Sequence, residues 1–262
     1  MSQYSTLSKV KLKTISDLQQ MKQAGQKITS LTAYDATFSS LIDKAGIDML
    51  LVGDSLGMVV QGHSSTLPVS MQDILYHTRL VSRGRQQAFI IADLPFMSNA
   101  TPERAADNAA LLIQQGGAQM VKLEGARYDV IQFMVRQGIP VCGHLGLLPQ
   151  SIYQLGKYAV QGKEDKEAQR ILTEALKVEE AGAQMLIVEC IPATLAQQIT
   201  EQLTIPVIGI GAGVYCDGQV LVVYDMLGIS LGRRPRFTKN YMQQADSIFN
   251  AVQAYITEVR EC

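Results

Sequence analysis

The chain has almost no net charge: 23 Lys and Arg stand against 24 Asp and Glu, leaving −1 over 262 residues. With no global field to attract a polyanion, nucleic acid is not an expected partner. Cysteine is scarce as well. Cys142, Cys190, Cys216 and Cys262 are too widely spaced for a CxxC metal knuckle and too few for a disulfide framework, which fits a reducing cytoplasm. No apolar run reaches the roughly 18 residues of a membrane span, and the N-terminal MSQYSTLSKVKLKT lacks the apolar centre of a signal peptide, so neither insertion nor export is expected. Neither GxGxxG nor GxxxxGK[ST] occurs, which leaves nucleotide-phosphate chemistry without support. The densest basic stretch, Arg233, Arg234, Arg236 and Lys239, reads as a solvated or ion-paired segment.

What is present is an ordinary globular composition, 47% apolar and 18% charged, on a chain long enough to bury a core without metal or disulfide staples. Short apolar runs recur at Ile28–Thr32, Met49–Val52, Ala88–Ala92, Gln119–Leu123, Pro140–Cys142, Met185–Val188, Pro206–Ile210 and Met226–Leu231. Segments of helical periodicity separate them. Eight runs at roughly 33 residues each predict an α/β fold, a closed (β/α)8 TIM barrel, with no linker to divide residues 1–262 into more than one domain. Partial repeats agree: GAQM at Gly117 returns at Gly182, and IPV at Ile139 returns at Ile205, two βα units later. Gly46, Gly117 and Gly182 fall where a helix must stop in a left-handed residue.

Ile15, Leu18 and Met21 predict an extra N-terminal helix, and Tyr241–Val259 an extra C-terminal one; each would cap the barrel or join subunits. Thr101-Pro102-Glu103 marks a helix start. Residues 149–166 carry two glycines and mixed charge, too irregular for a helix and long enough for a lid. The glycines of GIGAG at 209–213 read as close packing or a tight turn.

Chemistry enters at the ends of these runs. Asp54 closes the second, Asp93 the third, Glu124 the fourth and Glu189 the sixth, while His144 follows the fifth. In a (β/α)8 barrel all strand C-termini surround one mouth. Carboxylates from strands 2 to 4 repel one another unless a cation sits among them, and oxygen ligands of this kind suit Mg²⁺. A helix cap or an ion pair is the other use of each acid. Glu189, farther round the mouth, can serve as a general base if its apolar setting raises its proton affinity, or form a salt bridge. Lys122 stands two residues before Glu124 and points the same way, inward. A substrate carboxylate, Glu124 or Asp93 would each satisfy it. His144 offers a hydrogen bond to a developing oxyanion or is a satisfied structural histidine. Cys142 and Cys190 read as small core residues.

Taken together, VGDSLGMVVQGHSSTLP, ADLPFMSNATPE, VKLEG, PVCGHLGLLPQS, LIVECIP, IPVIGIGAG and DGQVLV resemble the ketopantoate hydroxymethyltransferase family. The resemblance implies transfer of a hydroxymethyl group from 5,10-methylenetetrahydrofolate to 3-methyl-2-oxobutanoate, forming 2-dehydropantoate in pantothenate synthesis. It further implies Mg²⁺, one per subunit, on Asp54, Asp93 and Glu124. Ketoacid binding falls to Asp54, Ser55, Asp93 and Lys122, with His144 beside them, and proton abstraction to Glu189. A cytoplasmic homodecamer, a pentamer of dimers, is implied as well. The chain departs from the family pattern at Ser64, where an acid is common, at Lys157 and Ala159, where the lysine is displaced, and at Tyr224, where histidine is frequent. A Mg²⁺-dependent lyase or mutase of the phosphoenolpyruvate and 2-oxo acid barrels is the rival reading, distinguished by a folate requirement.

Overall fold

Strands that are buried on both faces need apolar residues at successive positions, and they are stable only when helices cover one face and other strands the other. The computed structural model, which describes residues 11–232 and 234–262, shows this arrangement closed on itself. Eight parallel strands, β1 Ile28–Thr32, β2 Met49–Val52, β3 Phe89–Asp93, β4 Met120–Glu124, β5 Val141–Gly146, β6 Met185–Glu189, β7 Val207–Ile210 and β8 Gly218–Leu221, form a barrel in sequence order. The helices are α1 Ile15–Gln23, α2 Ala36–Lys44, α3 Leu56–Val59, α4 Met71–Gly84, α5 Pro102–Leu111, α6 Tyr128–Arg136, α7 Ile152–Leu155, α8 Asp165–Glu180, α9 Ala193–Gln202, α10 Val223–Leu227 and α11 Ile248–Arg260. None is long and apolar enough to cross a membrane.

The period-2 alternation of the strands divides the core into two parts. Ile28, Met49, Leu51, Phe89, Ile91, Met120, Cys142, Met185, Ile187, Ile208 and Val220 fill the barrel interior. Leu31, Leu50, Ile90, Val121, Leu186 and Val207 face outward into the layer under the helices. Leu18 of α1 joins the inner cluster with no exposed surface, so α1 plugs the barrel from below, and its burial contributes about 2 kcal/mol. A reciprocal capping box between Thr14 and Asp17 starts that helix. At the other terminus, α11 covers the β1–β8 seam, where the Tyr255 hydroxyl donates to the carbonyls of Ser30 and Gln219, each at 2.9 Å.

The expected turn glycines are left-handed, with φ of 98° at Gly46, 83° at Gly117 and 100° at Gly182. Thr101 caps α5 as expected, with Pro102 in its first turn. Other expectations need correction. The eighth strand is Gly218–Leu221 rather than Met226–Leu231, because Val223, Met226 and Leu227 are apolar at helical spacing and form the buried face of α10. The true strand was hidden by its glycine, which the packing demands: a Cβ on Gly218 would lie 2.2 Å from the Ile28 carbonyl oxygen. The C-terminal helix begins at Ile248, where Ser247 caps it, and Tyr241–Gln243 is a separate 3₁₀ turn. Residues 149–166 contain a 3₁₀ turn, Pro149–Ser151, and α7, and α8 starts at Asp165, so the irregular part is shorter than expected. His144 lies inside β5, not after it. Of the basic stretch, Lys239 is paired with Glu258, and Arg233 and the first ten residues lie outside the described residues.

Candidate active site

Parallel pairing brings the strand-end residues together. Asp93 is the register partner of Lys122, and Glu124 that of His144. On β4, Met120, Lys122 and Glu124 alternate inward, so Lys122 and Glu124 stand in successive layers above the apolar interior. Lys122 Nζ lies 2.6 Å from Asp93 Oδ1, an ion-pair distance, though its angle is outside hydrogen-bond geometry. The other Asp93 oxygen, Oδ2, accepts the Asp54 N–H at 2.9 Å, which ties the turn after β2 to the end of β3. Asp54, Asp93, Lys122, Glu124 and His144 are all buried.

His144 links this cluster to Glu189. Its Nδ1 is 3.4 Å from Lys122 Nζ and 3.7 Å from Glu124 Oε1, and its Nε2 is 3.3 Å from Glu189 Oε2. An ammonium can only donate, so Nδ1 accepts and the proton resides on Nε2. Burial, and then the Lys122 charge, hold the imidazole pKa well below its usual value, so the ring is neutral. Nε2 makes no aligned hydrogen bond despite being buried, which leaves a donor free at the mouth beside Glu189.

Four carboxylates thus share one ammonium, and their proton affinities reflect it. Burial, reinforced by Asp93, raises Asp54 to about 7. Burial and Asp54 lift Glu124 well above the ordinary carboxylate range. Burial alone opposes the charge on Lys122, but Asp93, Glu124 and Asp54 outweigh it and keep the amine protonated. Glu189, whose side chain is 17% exposed, is raised to about 7 by burial, against the pull of Lys122. A group titrating there can take a proton near neutrality.

The backbone around Glu189 is tightly specified. Its carbonyl accepts the Leu147 N–H at 2.8 Å. Cys190, next in the chain, adopts φ 47°, a left-handed conformation uncommon outside glycine. Its N–H donates to Ile210 and its carbonyl accepts from Gln161. Cys142 is a core residue as expected, but Cys190 is half-buried and serves this bend instead. Gly209 packs where a Cβ would meet Cys216 Sγ at 2.8 Å, in keeping with a packing use of that glycine run.

Sequence reasoning passed over Gln150. Its side-chain amide donates to Asp54 Oδ2 at 2.7 Å and to the Leu94 carbonyl at 3.1 Å, and its N–H donates to Glu124 Oε2 at 3.0 Å. It therefore holds two acids by their outer oxygens. Buried oxygens Asp93 Oδ1 and Glu124 Oε1 remain without hydrogen-bond partners. Among the described residues no three His, Cys, Asp or Glu side chains enclose an ion by themselves. A cation here would complete its shell with substrate or water oxygens, as Mg²⁺ does, and the excess of hard oxygen donors fits that ion. A cavity of about 950 Å³ lies elsewhere, lined by Lys13, Met21, Lys27, Asp48 and Arg260 at the strand N-terminal end, the face that serves stability in barrels.

A family model described as ketopantoate hydroxymethyltransferase matches residues 12–262. The chain is 57% identical over 250 residues, 95% of each chain, to the 3-methyl-2-oxobutanoate hydroxymethyltransferase of Nitrosococcus oceani. Among solved structures it is similar to 2,3-dimethylmalate lyase, a member of the PEP mutase/isocitrate lyase superfamily, with TM-score 0.59 at 15% identity over 82% of each chain. It is also similar to phosphonopyruvate hydrolase in complex with oxalate and Mg²⁺, with TM-score 0.60 at 12% identity over 95% of this chain and 85% of that one. At those identities the likeness is one of fold.

Proposed function

This chain belongs to the ketopantoate hydroxymethyltransferase family, and from that membership we propose that it transfers a hydroxymethyl group from 5,10-methylenetetrahydrofolate to 3-methyl-2-oxobutanoate, giving 2-dehydropantoate and tetrahydrofolate for pantothenate synthesis. The observation that carries the mechanism is the placement of Glu189, raised to about 7, one imidazole away from a buried acid cluster around Lys122.

Mg²⁺, held by Asp54, Asp93 and Glu124, would withdraw electron density from the 2-oxo group and so acidify C3. Lys122 and Ser55 would bind the substrate carboxylate, and the Nε2–H of His144 would donate to the oxygen on which negative charge develops. Glu189 would take the C3 proton. The electron pair of that C–H bond then forms the new C–C bond to the folate one-carbon unit as one of its two C–N bonds breaks, and water supplies the hydroxyl as the other breaks, the two folate nitrogens taking up the proton from Glu189 and the one released by water. The same reading includes one Mg²⁺ per subunit, one catalytic barrel domain, a homodecamer and a cytoplasmic setting. Free Cys142, Cys190, Cys216 and Cys262 support a reducing compartment.

Proton NMR of α-ketoisovalerate in D₂O tests base, metal and substrate together. The expected result is loss of the C3 proton signal that requires both enzyme and Mg²⁺, abolished in Glu189→Gln while metal-dependent ketoacid binding persists. No exchange by folded wild-type protein, with or without tetrahydrofolate, would overturn the reading. Loss of both exchange and binding in a folded Glu189→Gln would make Glu189 part of the binding site instead.

A further inference from the structure

A serine hydroxyl rotates about its Cβ–Oγ bond and both donates and accepts, so what Ser55 presents to an anion depends on what else holds it. Ser55 is half-buried in the turn after β2. Its Oγ folds back over Gly53, where a Cβ on that glycine would meet it at 2.9 Å and Asp93 Oδ2 at 3.4 Å. The hydroxyl is therefore inside the mouth, beside the acid cluster. Its partner there is Tyr34, two residues past the end of β1 and 2% exposed, whose phenol oxygen lies 2.9 Å from Ser55 Oγ.

Either hydroxyl can donate in that hydrogen bond, and in both cases it ties Ser55 Oγ to the buried phenol and leaves the rest of its donor and acceptor capacity for a ligand. Just before Tyr34, Thr32 Oγ1 accepts the Val223 N–H at 3.0 Å, which fastens the end of β1 to the start of α10.

The ring that carries the phenol is clamped from two sides. The Tyr34 carbonyl accepts from His77 Nδ1 at 2.6 Å. Its ring packs on Tyr224 with centroids 5.8 Å apart, and Tyr224 stacks in turn on Phe38 at 6.0 Å. Tyr224, a departure from the family pattern, is thus the wall behind Tyr34.

We propose that Tyr34 is a positioning residue for the 2-oxo acid: its hydrogen bond to Ser55 Oγ holds that hydroxyl inside the mouth, where it meets the substrate carboxylate. The inference rests on the functional reading above and assigns Tyr34 no contact with the reacting atoms. Tyr34→Phe keeps the ring and its packing and removes one oxygen. With Mg²⁺ present, Kd and KM for α-ketoisovalerate are expected to rise about tenfold while kcat stays within about twofold. Ser55→Ala should weaken binding at least as much, and the double variant should bind no worse than Ser55→Ala alone, because the phenol acts only through the serine.

An unchanged Kd in folded Tyr34→Phe, an effect on kcat alone, or additivity in the double variant would each overturn the proposal. Circular dichroism and melting check the fold first. If Tyr34→Phe does not fold, Tyr224→Leu removes the ring packed behind the phenol and should raise Kd about threefold; an unchanged value would overturn the proposal equally. Failure of wild-type protein to bind α-ketoisovalerate would instead overturn the functional reading, and this inference with it.

Discussion

Asp93 and Lys122 are register partners on neighbouring strands, and their side chains meet at 2.6 Å with both residues almost fully buried. A pair of this kind yields little net stability compared with an apolar replacement, but removing one member leaves the other as a buried, uncompensated charge.

Lys122→Met should therefore cost about 3 kcal/mol in urea denaturation and abolish ketoacid binding. Asp93→Asn in the same chain should restore part of the stability and none of the binding. If the double variant were less stable than Lys122→Met, Asp93 would owe its place to its bond with the Asp54 N–H rather than to the lysine.

The pH dependence follows from Glu189, which burial raises from the ordinary 4.5 to about 7. In its proposed role as base it would work only when ionised, so C3 exchange should rise about tenfold per pH unit below 7 and level off above it. Its contribution to stability has the opposite sign. Between 4.5 and 7 the folded state holds the proton more tightly than the unfolded state does. That contribution is complete below the lower value and is lost as pH rises through the upper one. Glu189→Gln should flatten this part of the stability profile, measured by denaturant unfolding from pH 4 to 9; an unaltered profile would mean that Glu189 titrates alike in both states.

Gly146 is the register partner of Glu189, with φ 94°, and a Cβ placed on it would lie 2.2 Å from the Glu189 carbonyl oxygen. Gly146→Ala is expected to cost about 2 kcal/mol in stability. C3 exchange should fall more than about tenfold, since a small displacement of a catalytic group is costly, with ketoacid affinity nearly retained. Calorimetry and NMR on one preparation separate the two; a parallel loss of binding would show that the shift reaches the Lys122 layer.

Gln150 can be tested without any turnover. Gln150→Leu removes the amide that orients Asp54, and the loss of such an outer partner is expected to lower metal affinity 10- to 100-fold. Titration with Mn²⁺, followed by the paramagnetic signal of the free ion, gives the value directly. Unchanged affinity would mean that Gln150 only fastens the β5–α8 segment.

Much of the barrel was legible because its determinants are local. Parallel strands leave apolar runs, helix stops leave glycines, and the period of two placed Lys122 and Glu124 on one face before any contact was known. The acids at the run ends were legible for the same reason, since all strands of a barrel end at one mouth. Met226–Leu231 misled because a short apolar run does not declare its period, and here the period was that of a helix face.

The amino-acid order by itself determined the number of βα units, seven of the eight strands, and which acids, lysine and histidine share the mouth. Only the tertiary structure decided how those groups are used. Gln150 reaches Asp54 across 96 positions of chain. Tyr34 meets Ser55 across the turn after β2, and His144 stands between Lys122 and Glu189. Polar partnerships of this kind carry no periodic signature. They arise from the closure of the barrel, which desolvates groups distant in sequence and leaves each buried donor and acceptor to find whichever partner lies beside it.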